Sequence, residues 1–522
     1  LKLPFAIESE QSSIHIGKNA VAMRAVSGAL VSAKSAADVA ADGAKSAAVV
    51  AAGGVKSVAG TATEITLKAV RDAMTTGMSA GWGEESLVAL QTLSEVFGDT
   101  YAENSRNRFM MLNLAVLAKQ IEQDRRYATP PSTGEAVDDP SLIVDASRFV
   151  HFANAVYLKN DAAVCNNAAL PLTNASPSGQ LKAADAEVDL MGSNLLYWHA
   201  SQTTACPNFM LATDSLTGSL VLAIRGTASM ADVFTDCHFK NVTFSGGEAH
   251  SGMVASTEKL LEQAKPRLRK LLQSGLYKQL VVVGHSLGAG TAILTFLALE
   301  CDKEIQKDCE LGKVRRFCYA YAPPPVFTPL EALADDVKDR IHSFVHSHDV
   351  ISRVCAHSMK KLALAIGALD KLPLSTAECV NYVMRGVPPK GLPEGVKDAV
   401  DVPEAQLGAY PPMFQPGHLY LLQRRKGVAT CEKLSPIHLD RILLTSSFAS
   451  DHSLKGYNAL LQELATVVLH QLRKQNVILQ AEASKLKSDA LRAQLSMPQA
   501  QGLEQEQGGP ERGGRSKSCS VM

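Results

Sequence analysis

The 522-residue chain lacks an excess of either charge, since 52 basic side chains balance 52 acidic ones and the pI is about 7.3. It has no run of Lys and Arg and no interleaving of basic with aromatic residues, which are typical of nucleic-acid-binding proteins. Its ten cysteines are scattered singly, without a Cys-x-x-Cys pair or a zinc-finger spacing. We therefore expect no nucleic-acid partner, no metal and a reducing compartment.

The chain also lacks a signal peptide at its start and an apolar run that predicts a membrane span. Its longest uncharged stretch, residues 279–299, is long enough for a crude hydropathy test. A Gly-His-Ser-Leu-Gly turn interrupts its middle, so we predict a strand, a turn and a helix there rather than a transmembrane helix. Because the first residue is Leu1 and not Met, a targeting segment upstream stays an open alternative.

The most informative feature present is a nucleophile elbow, a tight turn between a strand and a helix. Valines at 281–283 precede Gly284-His285-Ser286-Leu287-Gly288, and apolar residues typical of a helix follow at 291–299. Gly284 and Gly288 allow the strained turn and the close approach of helix to strand. The turn lifts the Ser286 hydroxyl above the sheet edge, where the start of the helix favours developing negative charge. We predict that Ser286 is a catalytic nucleophile.

An acid and a histidine should follow the nucleophile in this type of fold. Residues 341–349 are a strand candidate that ends on Asp349, which we predict to be the triad acid. The rivals Asp335, Asp336 and Asp339 lie in a preceding stretch typical of a solvated helix. A helix cap or turn residue is the simpler alternative for Asp349.

The catalytic histidine must follow the acid on a loop after the last strand. We favour His452, which follows a Ser-rich loop and precedes a helix beginning near residue 457. His438 is the alternative, whereas His418 lies at the start of a predicted last strand, at the wrong end of the sheet. The cluster His342, His346 and His348 does not suggest a metal site, because about 13 Å separates the first two at roughly 3.3 Å per residue.

The oxyanion that forms when a serine attacks a carbonyl group needs hydrogen-bond donors. An apolar strand at 219–224 ends in Arg-Gly-Thr, a turn with exposed amides. We predict that the N–H groups of Leu287 and Thr227 bind the oxyanion, with the Thr227 hydroxyl as a further donor.

Taken together, these motifs resemble class 3 lipases, over roughly residues 141–460. The matching segments are Ile-Arg-Gly-Thr at 224–227, His-Ser-Gly-Met at 250–253, Gly-His-Ser-Leu-Gly at 284–288, the ten residues 344–353, and Asp-His at 451–452. Within that family the chain looks most like the sn-1-specific diacylglycerol lipases, whose catalytic domain opens with a helix similar to residues 149–157.

The resemblance implies an α/β-hydrolase fold, with a mostly parallel sheet and helices on both faces. It also implies an acyl-enzyme on Ser286, and hydrolysis of diacylglycerol to a monoacylglycerol and a fatty acid without a cofactor. The same scaffold leaves a triacylglycerol lipase or a phospholipase A1 open. The alternative from another class is a catalytically silent protein that binds lipid surfaces.

Both ends of the chain suggest contact with a membrane or lipid-droplet surface. Lys-Ser pairs recur every eleven residues at 34, 45 and 56, a period that keeps one helical face and resembles the repeats of apolipoproteins. An Ala-rich linker without a membrane role is the alternative. The last four residues, Cys519 to Met522, form a C-a-a-X pattern that favours farnesyl, with basic residues just upstream. We predict a peripheral protein on the cytoplasmic face of a membrane.

Five segments follow from these patterns. They are an Ala-rich repeat segment (1–80), a helical region and linker (81–140), a catalytic domain (141–460) with a possible regulatory insert (355–410), a C-terminal helix (461–497) and a flexible tail (498–522). Residues 228–250, where class 3 lipases place the lid, have apolar residues suited to its underside.

Overall fold

The computed structural model describes residues 86, 89, 90, 93, 110–124, 134–137, 139–157, 193–200, 206–227, 241–389, 407 and 410–495. The predicted repeat segment 1–80, the tail 498–522 with Cys519, and residues 228–240 of the predicted lid lie outside that set.

The described residues build a large mixed sheet and a small second sheet. Eight strands form the large sheet in the order β1-β2-β3-β6-β7-β9-β10-β11, and β4, β5 and β8 form the small one. The strands are β1 (Asn194–His199), β2 (Phe209–Asp214), β3 (Ser219–Ile224), β4 (Asn241–Phe244), β5 (Gly247–His250), β6 (Gln279–His285), β7 (Arg315–Tyr321), β8 (Phe327–Thr328), β9 (Ile341–His346), β10 (His418–Arg425) and β11 (Val428–Lys433).

The centre of the large sheet is parallel, from β3 through β6, β7 and β9 to β10. Every residue of β3 and β6 is buried, as a parallel strand covered on both faces requires. Antiparallel β1, β2 and β11 complete the edges. The strand predicted to be the last one, β10, turns back into a further strand, β11, which the sequence did not predict.

Helices lie on both faces of this sheet. Within the described residues they are α1 (Met110–Gln123), α2 (Pro140–Ala155), α3 (Ser251–Leu272), α4 (Leu287–Cys301), α5 (Lys303–Gly312), α6 (Asp335–Lys338), α7 (Ala356–Leu369), α8 (Thr376–Arg385) and α9 (Leu454–Leu495). Leu222 and Val282 share a core cluster with α3 and α4, whereas the alternate residues Val221 and Val281 face the other side, where α2 packs on the strands. The architecture is the α/β-hydrolase fold that the sequence predicted.

The described part of the predicted insert, residues 355–389, contains two helices that pack on an upstream helix. α7 and α8 both contact α1, and the Tyr382 hydroxyl of α8 donates to Gln120 at 2.8 Å and Gln123 at 3.0 Å. The region therefore joins residues 110–123 to the catalytic fold through a buried interface.

The chain divides into two compact units, Leu1–Thr466 and Val467–Met522. The helix α9 begins in the first unit at Leu454 and continues to Leu495 in the second. No helix among the described residues is long and apolar enough to cross a membrane.

Candidate active site

The nucleophile elbow is built from a backbone conformation that side chains rarely tolerate. Ser286 lies between β6 and α4 with φ 61° and ψ −135°. A Cβ on Gly284 would lie 2.2 Å from the Gly288 carbonyl oxygen, and a Cβ on Gly288 would lie 2.5 Å from the Gly226 nitrogen. Only glycine fits at both positions, because the helix start, β6 and the end of β3 are in direct contact.

Three distant segments bring a serine, a histidine and an aspartate together. The Ser286 Oγ lies 3.0 Å from His452 Nε2, and His452 Nδ1 lies 3.1 Å from both carboxylate oxygens of Asp349. The serine follows β6, the acid follows β9, and His452 ends a short turn, Ser450–His452, just before α9. This is the geometry of a nucleophile, a general base and an orienting acid.

The carboxylate of Asp349 is completely buried and accepts more than one hydrogen bond. The Tyr457 hydroxyl donates to it at 2.6 Å and the Ile351 amide at 2.8 Å. Burial alone would raise the pKa of Asp349, but the neighbouring His452 and these hydrogen bonds hold it below its ordinary value. Sequence reasoning missed Tyr457, although its place in the first turn after His452 is a signal that could have found it.

Two groups near the elbow have hydrogen-bond donors without an acceptor among the described residues. The buried Thr227 hydroxyl has no hydrogen-bond partner among the described residues. The Leu287 amide is the first of α4 and has no acceptor within the helix, whereas the amides of Ala289 and Gly290 donate to the Ser286 carbonyl. Thr227 follows β3, which pairs with β6, so the two groups flank the nucleophile from adjacent strands.

His285, next to the nucleophile, packs beneath the catalytic histidine candidate. Its ring stacks on His452 with centroids 4.7 Å apart, and its Nε2 donates to the His452 carbonyl at 3.0 Å. Burial and, secondly, the nearby His452 lower the pKa of His285 to about 3. The ring therefore stays uncharged beside the group that must accept a proton.

The rival residues lie elsewhere. Asp335 and Asp336 are on the exposed α6, and Asp339 pairs with His418 at the opposite end of the sheet. The carbonyl of His438, in the short turn Pro436–Leu439, accepts a hydrogen bond from Arg353 Nη1 at 2.9 Å, and the Ser286 hydroxyl is bonded to His452 instead. No described group of three or more His, Cys, Asp or Glu side chains could hold a metal ion.

Residues 221–359 match the family profile of Lipase (class 3). This segment is similar to class 3 lipases. Ser286 and Asp349 lie inside the matched range, whereas His452 lies beyond it.

Proteins similar in sequence to this chain include two mammalian proteins and one fungal protein. Diacylglycerol lipase-beta of Mus musculus is 31% identical over 163 residues, 30% of this chain and 23% of that protein. Diacylglycerol lipase-alpha of Mus musculus is 25% identical over 238 residues, 40% of this chain and 22% of that protein. Secreted mono- and diacylglycerol lipase A of Penicillium cyclopium is 27% identical over 176 residues, 33% of this chain and 55% of that protein. The chain thus spans less than a quarter of the mammalian relatives and about half of the fungal one.

Solved structures similar to this chain include two fungal lipases. The lipase from Rhizopus microsporus var. chinensis has a TM-score of 0.38 at 16% identity, covering 62% of this chain and 90% of that one. Lipase II from Rhizopus niveus has a TM-score of 0.36 at 15% identity, covering 58% and 89%. The fold assignment rests on the sheet topology described above and not on these likenesses.

Proposed function

We propose that the protein is a serine lipase that hydrolyses an ester bond of diacylglycerol, releasing a fatty acid and a monoacylglycerol. The observation that carries this proposal is the hydrogen-bonded series from buried Asp349 through His452 to Ser286, at 3.1 Å and 3.0 Å. The strained elbow that presents the serine supports the same conclusion.

The reaction proceeds in two halves. His452 Nε2 takes the Ser286 proton as Oγ attacks the ester carbonyl carbon, and the tetrahedral oxyanion accepts hydrogen bonds from Leu287 and Thr227. The C–O bond to the glycerol breaks as His452 returns the proton to the leaving alcohol. In the second half His452 takes a proton from a water molecule as its oxygen attacks the acyl carbonyl carbon. The bond from that carbon to Ser286 Oγ then breaks, His452 returns the proton to Oγ, and the fatty acid leaves.

Asp349 has a supporting part in both halves. Its carboxylate fixes the proton on His452 Nδ1, so that Nε2 is free to act as the base, and it stabilises the imidazolium that forms. Because the pKa of this carboxyl lies below its ordinary value, the acid is ionised at neutral pH. Neither a metal nor an organic cofactor has a part in these steps.

The substrate is proposed from the relatives, whose names specify diacylglycerol or mono- and diacylglycerol. Its test is the release of fatty acid from diacylglycerol, triacylglycerol and phosphatidylcholine in matched emulsions, with wild type beside Ser286→Ala. We expect serine-dependent release mainly from diacylglycerol. Serine-dependent release mainly from another lipid would keep the mechanism and overturn the substrate. A folded protein with no serine-dependent release would instead support a silent lipid-binding role.

We also propose that the protein works at a membrane or lipid-droplet surface, with a farnesyl group on Cys519. The support is in the sequence alone: the eleven-residue repeats within residues 1–80 and the C-a-a-X pattern with its basic neighbours Arg512, Arg515 and Lys517. Flotation with vesicles containing phosphatidylserine, after expression with a labelled prenyl precursor, tests the proposal. Cys519→Ser should lose both the label and most of the bound protein, and a labelled or fully bound variant would contradict the anchor.

A further inference from the structure

One tyrosine hydroxyl joins the two backbone segments that precede the oxyanion donors. Tyr157 lies just beyond α2, and its hydroxyl accepts a hydrogen bond from the Gly226 amide at 2.9 Å. The same hydroxyl donates toward His285, whose carbonyl oxygen is 3.1 Å away and whose Nδ1 is 3.4 Å away. Gly226 directly precedes Thr227, and His285 directly precedes Ser286.

This junction depends on close contact that only glycine permits. A Cβ on Gly226 would lie 2.4 Å from the Tyr157 hydroxyl oxygen and 2.5 Å from the His285 carbonyl oxygen. The end of β3 therefore contacts the elbow and the tyrosine at once, and the hydroxyl fixes the distance between them.

The side chain of His285 extends the contact to the third catalytic segment. A carbonyl oxygen can only accept, so His285 Nε2 carries the proton that it donates to the His452 carbonyl at 3.0 Å. The neutral ring then has an unprotonated Nδ1, which faces the Tyr157 hydroxyl. Ring stacking at 4.7 Å holds the two imidazoles face to face.

We propose that Tyr157 and His285 form a latch that positions the oxyanion strand, the elbow and the turn bearing His452 against one another. The inference rests on the proposed serine mechanism and assigns to both residues a positioning part in it, since neither touches the reacting atoms. The three segments come from distant parts of the sequence, so their relative placement depends on contacts of this kind. Small misplacement of catalytic groups is costly, about 10²-fold for 1 Å.

The test of the tyrosine is Tyr157→Phe, which keeps the ring and removes the hydroxyl. Its matched control is Tyr382→Phe, which removes another hydroxyl with two hydrogen-bond partners, on α8 and away from the site. With p-nitrophenyl butyrate, a small ester, we expect kcat to fall roughly 10- to 100-fold at unchanged KM, since loss of one oxyanion donor costs about 10²–10³. The control should keep kcat within about twofold, as expected for a substitution away from the site.

A boronic acid separates positioning from a general loss of structure. It forms a tetrahedral adduct with the serine, which resembles the transition state. The latch predicts that Tyr157→Phe weakens boronate binding by the same factor as kcat/KM, per active site titrated with a fluorophosphonate. If the loss disappears once active sites are counted, or equals that of Tyr382→Phe, the latch is wrong.

The histidine is tested by rescue and by coupling. His285→Phe keeps a ring but no donor, whereas His285→Asn keeps an N–H group, so the asparagine variant should recover part of the lost kcat. The double variant with Tyr157→Phe should lose less than the product of the single losses, because the two residues act as one unit. Independent, multiplying losses or an inactive asparagine with an active phenylalanine would overturn the latch.

Failure of the latch differs from failure of the proposed mechanism. If wild type shows neither Ser286-dependent hydrolysis nor fluorophosphonate labelling, both proposals fall. If wild type is active and the Tyr157→Phe and His285→Phe variants match it, only the latch falls.

Discussion

The two ends of the central sheet carry similar groups with different surroundings. At the elbow end, His285 stacks on His452, which pairs with Asp349 at 3.1 Å, and Tyr457 lies beside them. At the other end, His342 stacks on His418 with centroids 6.0 Å apart. His418 pairs with Asp339 at the same 3.1 Å, and Tyr420 lies beside the two rings.

The difference between the ends is burial and the presence of a nucleophile. Asp349 has no exposed side-chain surface and His452 is 14% exposed, whereas Asp339 and His418 are 68% and 46% exposed. Exposed ion pairs contribute little to folding stability, because water screens the attraction between the charges. Of the two pairs, only the buried one has a serine of strained backbone within hydrogen-bonding distance of its histidine. A His–Asp pair is therefore not by itself a sign of catalysis, and the surrounding groups decide.

The largest expected effect on activity distinguishes Ser286 from Ser343, a second buried serine. Ser286→Ala should lower kcat/KM about 10⁴- to 10⁶-fold, because the nucleophile is lost and only binding and oxyanion stabilisation remain. Ser343→Ala, at a buried serine of β9, should keep wild-type activity. Both are measured on diacylglycerol emulsions with stability checked by thermal unfolding, and equal losses would mean that Ser286 is not the nucleophile.

Substitution of the two aspartates, Asp349 and Asp339, should change kcat to almost as different an extent. Asp349→Asn is expected to lower kcat about 10⁴-fold, since the histidine loses the partner that sets its tautomer. Asp339→Asn leaves the triad intact, so its kcat should equal that of wild type. A large loss in the exposed pair, or none in the buried one, would reverse the assignment of the acid.

The buried hydroxyl of Thr227, which has no hydrogen-bond partner among the described residues, can be tested by substitution. Thr227→Val keeps the backbone N–H and should lower kcat about 10²-fold if the hydroxyl is an oxyanion donor. Thr227→Ser retains the hydroxyl and should restore most of the rate. Equal rates for valine and serine would leave the backbone amides as the donors and exclude the side chain.

Substitution of Tyr457 and Tyr420, one tyrosine at each end of the sheet, should have a smaller effect on kcat. Tyr457→Phe removes a hydrogen bond to the ionised Asp349, and we expect about a tenfold lower kcat, because such bonds contribute roughly 1.5–3 kcal/mol. Tyr420→Phe removes a contact at 3.3 Å to His342 and should not change kcat. If the two variants behave alike, the hydrogen bond to the acid has no catalytic part.

A buried histidine at each end of the sheet should make the fold less stable in acid. Burial lowers the pKa of His285 to about 3 and that of His342 to about 4, from 6.5 when unfolded. Below pH 6.5 these two histidines bind protons in the unfolded chain but stay neutral in the folded chain. The free energy of unfolding therefore falls as the pH falls. Denaturant titrations between pH 7 and 4.5 should show it, and His342→Gln should reduce the slope by up to about 1.4 kcal/mol per pH unit. An unchanged slope would mean that His342 is charged in the fold.

Much of the fold could be predicted because local pattern encodes it. Residues 281–283 and the turn after them predicted a strand and a helix, and the structure has β6 and α4 there. The strand near 417–422 was also expected, but β11 was not, since Val428–Lys433 alternates apolar and polar residues too weakly to stand out. The helix α8 was missed for a similar reason, because a Pro- and Gly-rich stretch follows it closely.

By itself, the sequence determined the class of fold, the elbow at Ser286 and the order of acid and histidine candidates, because periodicity and glycine spacing act over a few residues. The tertiary structure alone decided that His452, and not His438, lies 3.0 Å from the serine, and that Tyr457 and Tyr157 lie beside the site. Those contacts join residues separated by 69 to 166 positions. Distances of that kind depend on how strands and helices pack in space, which no local pattern records.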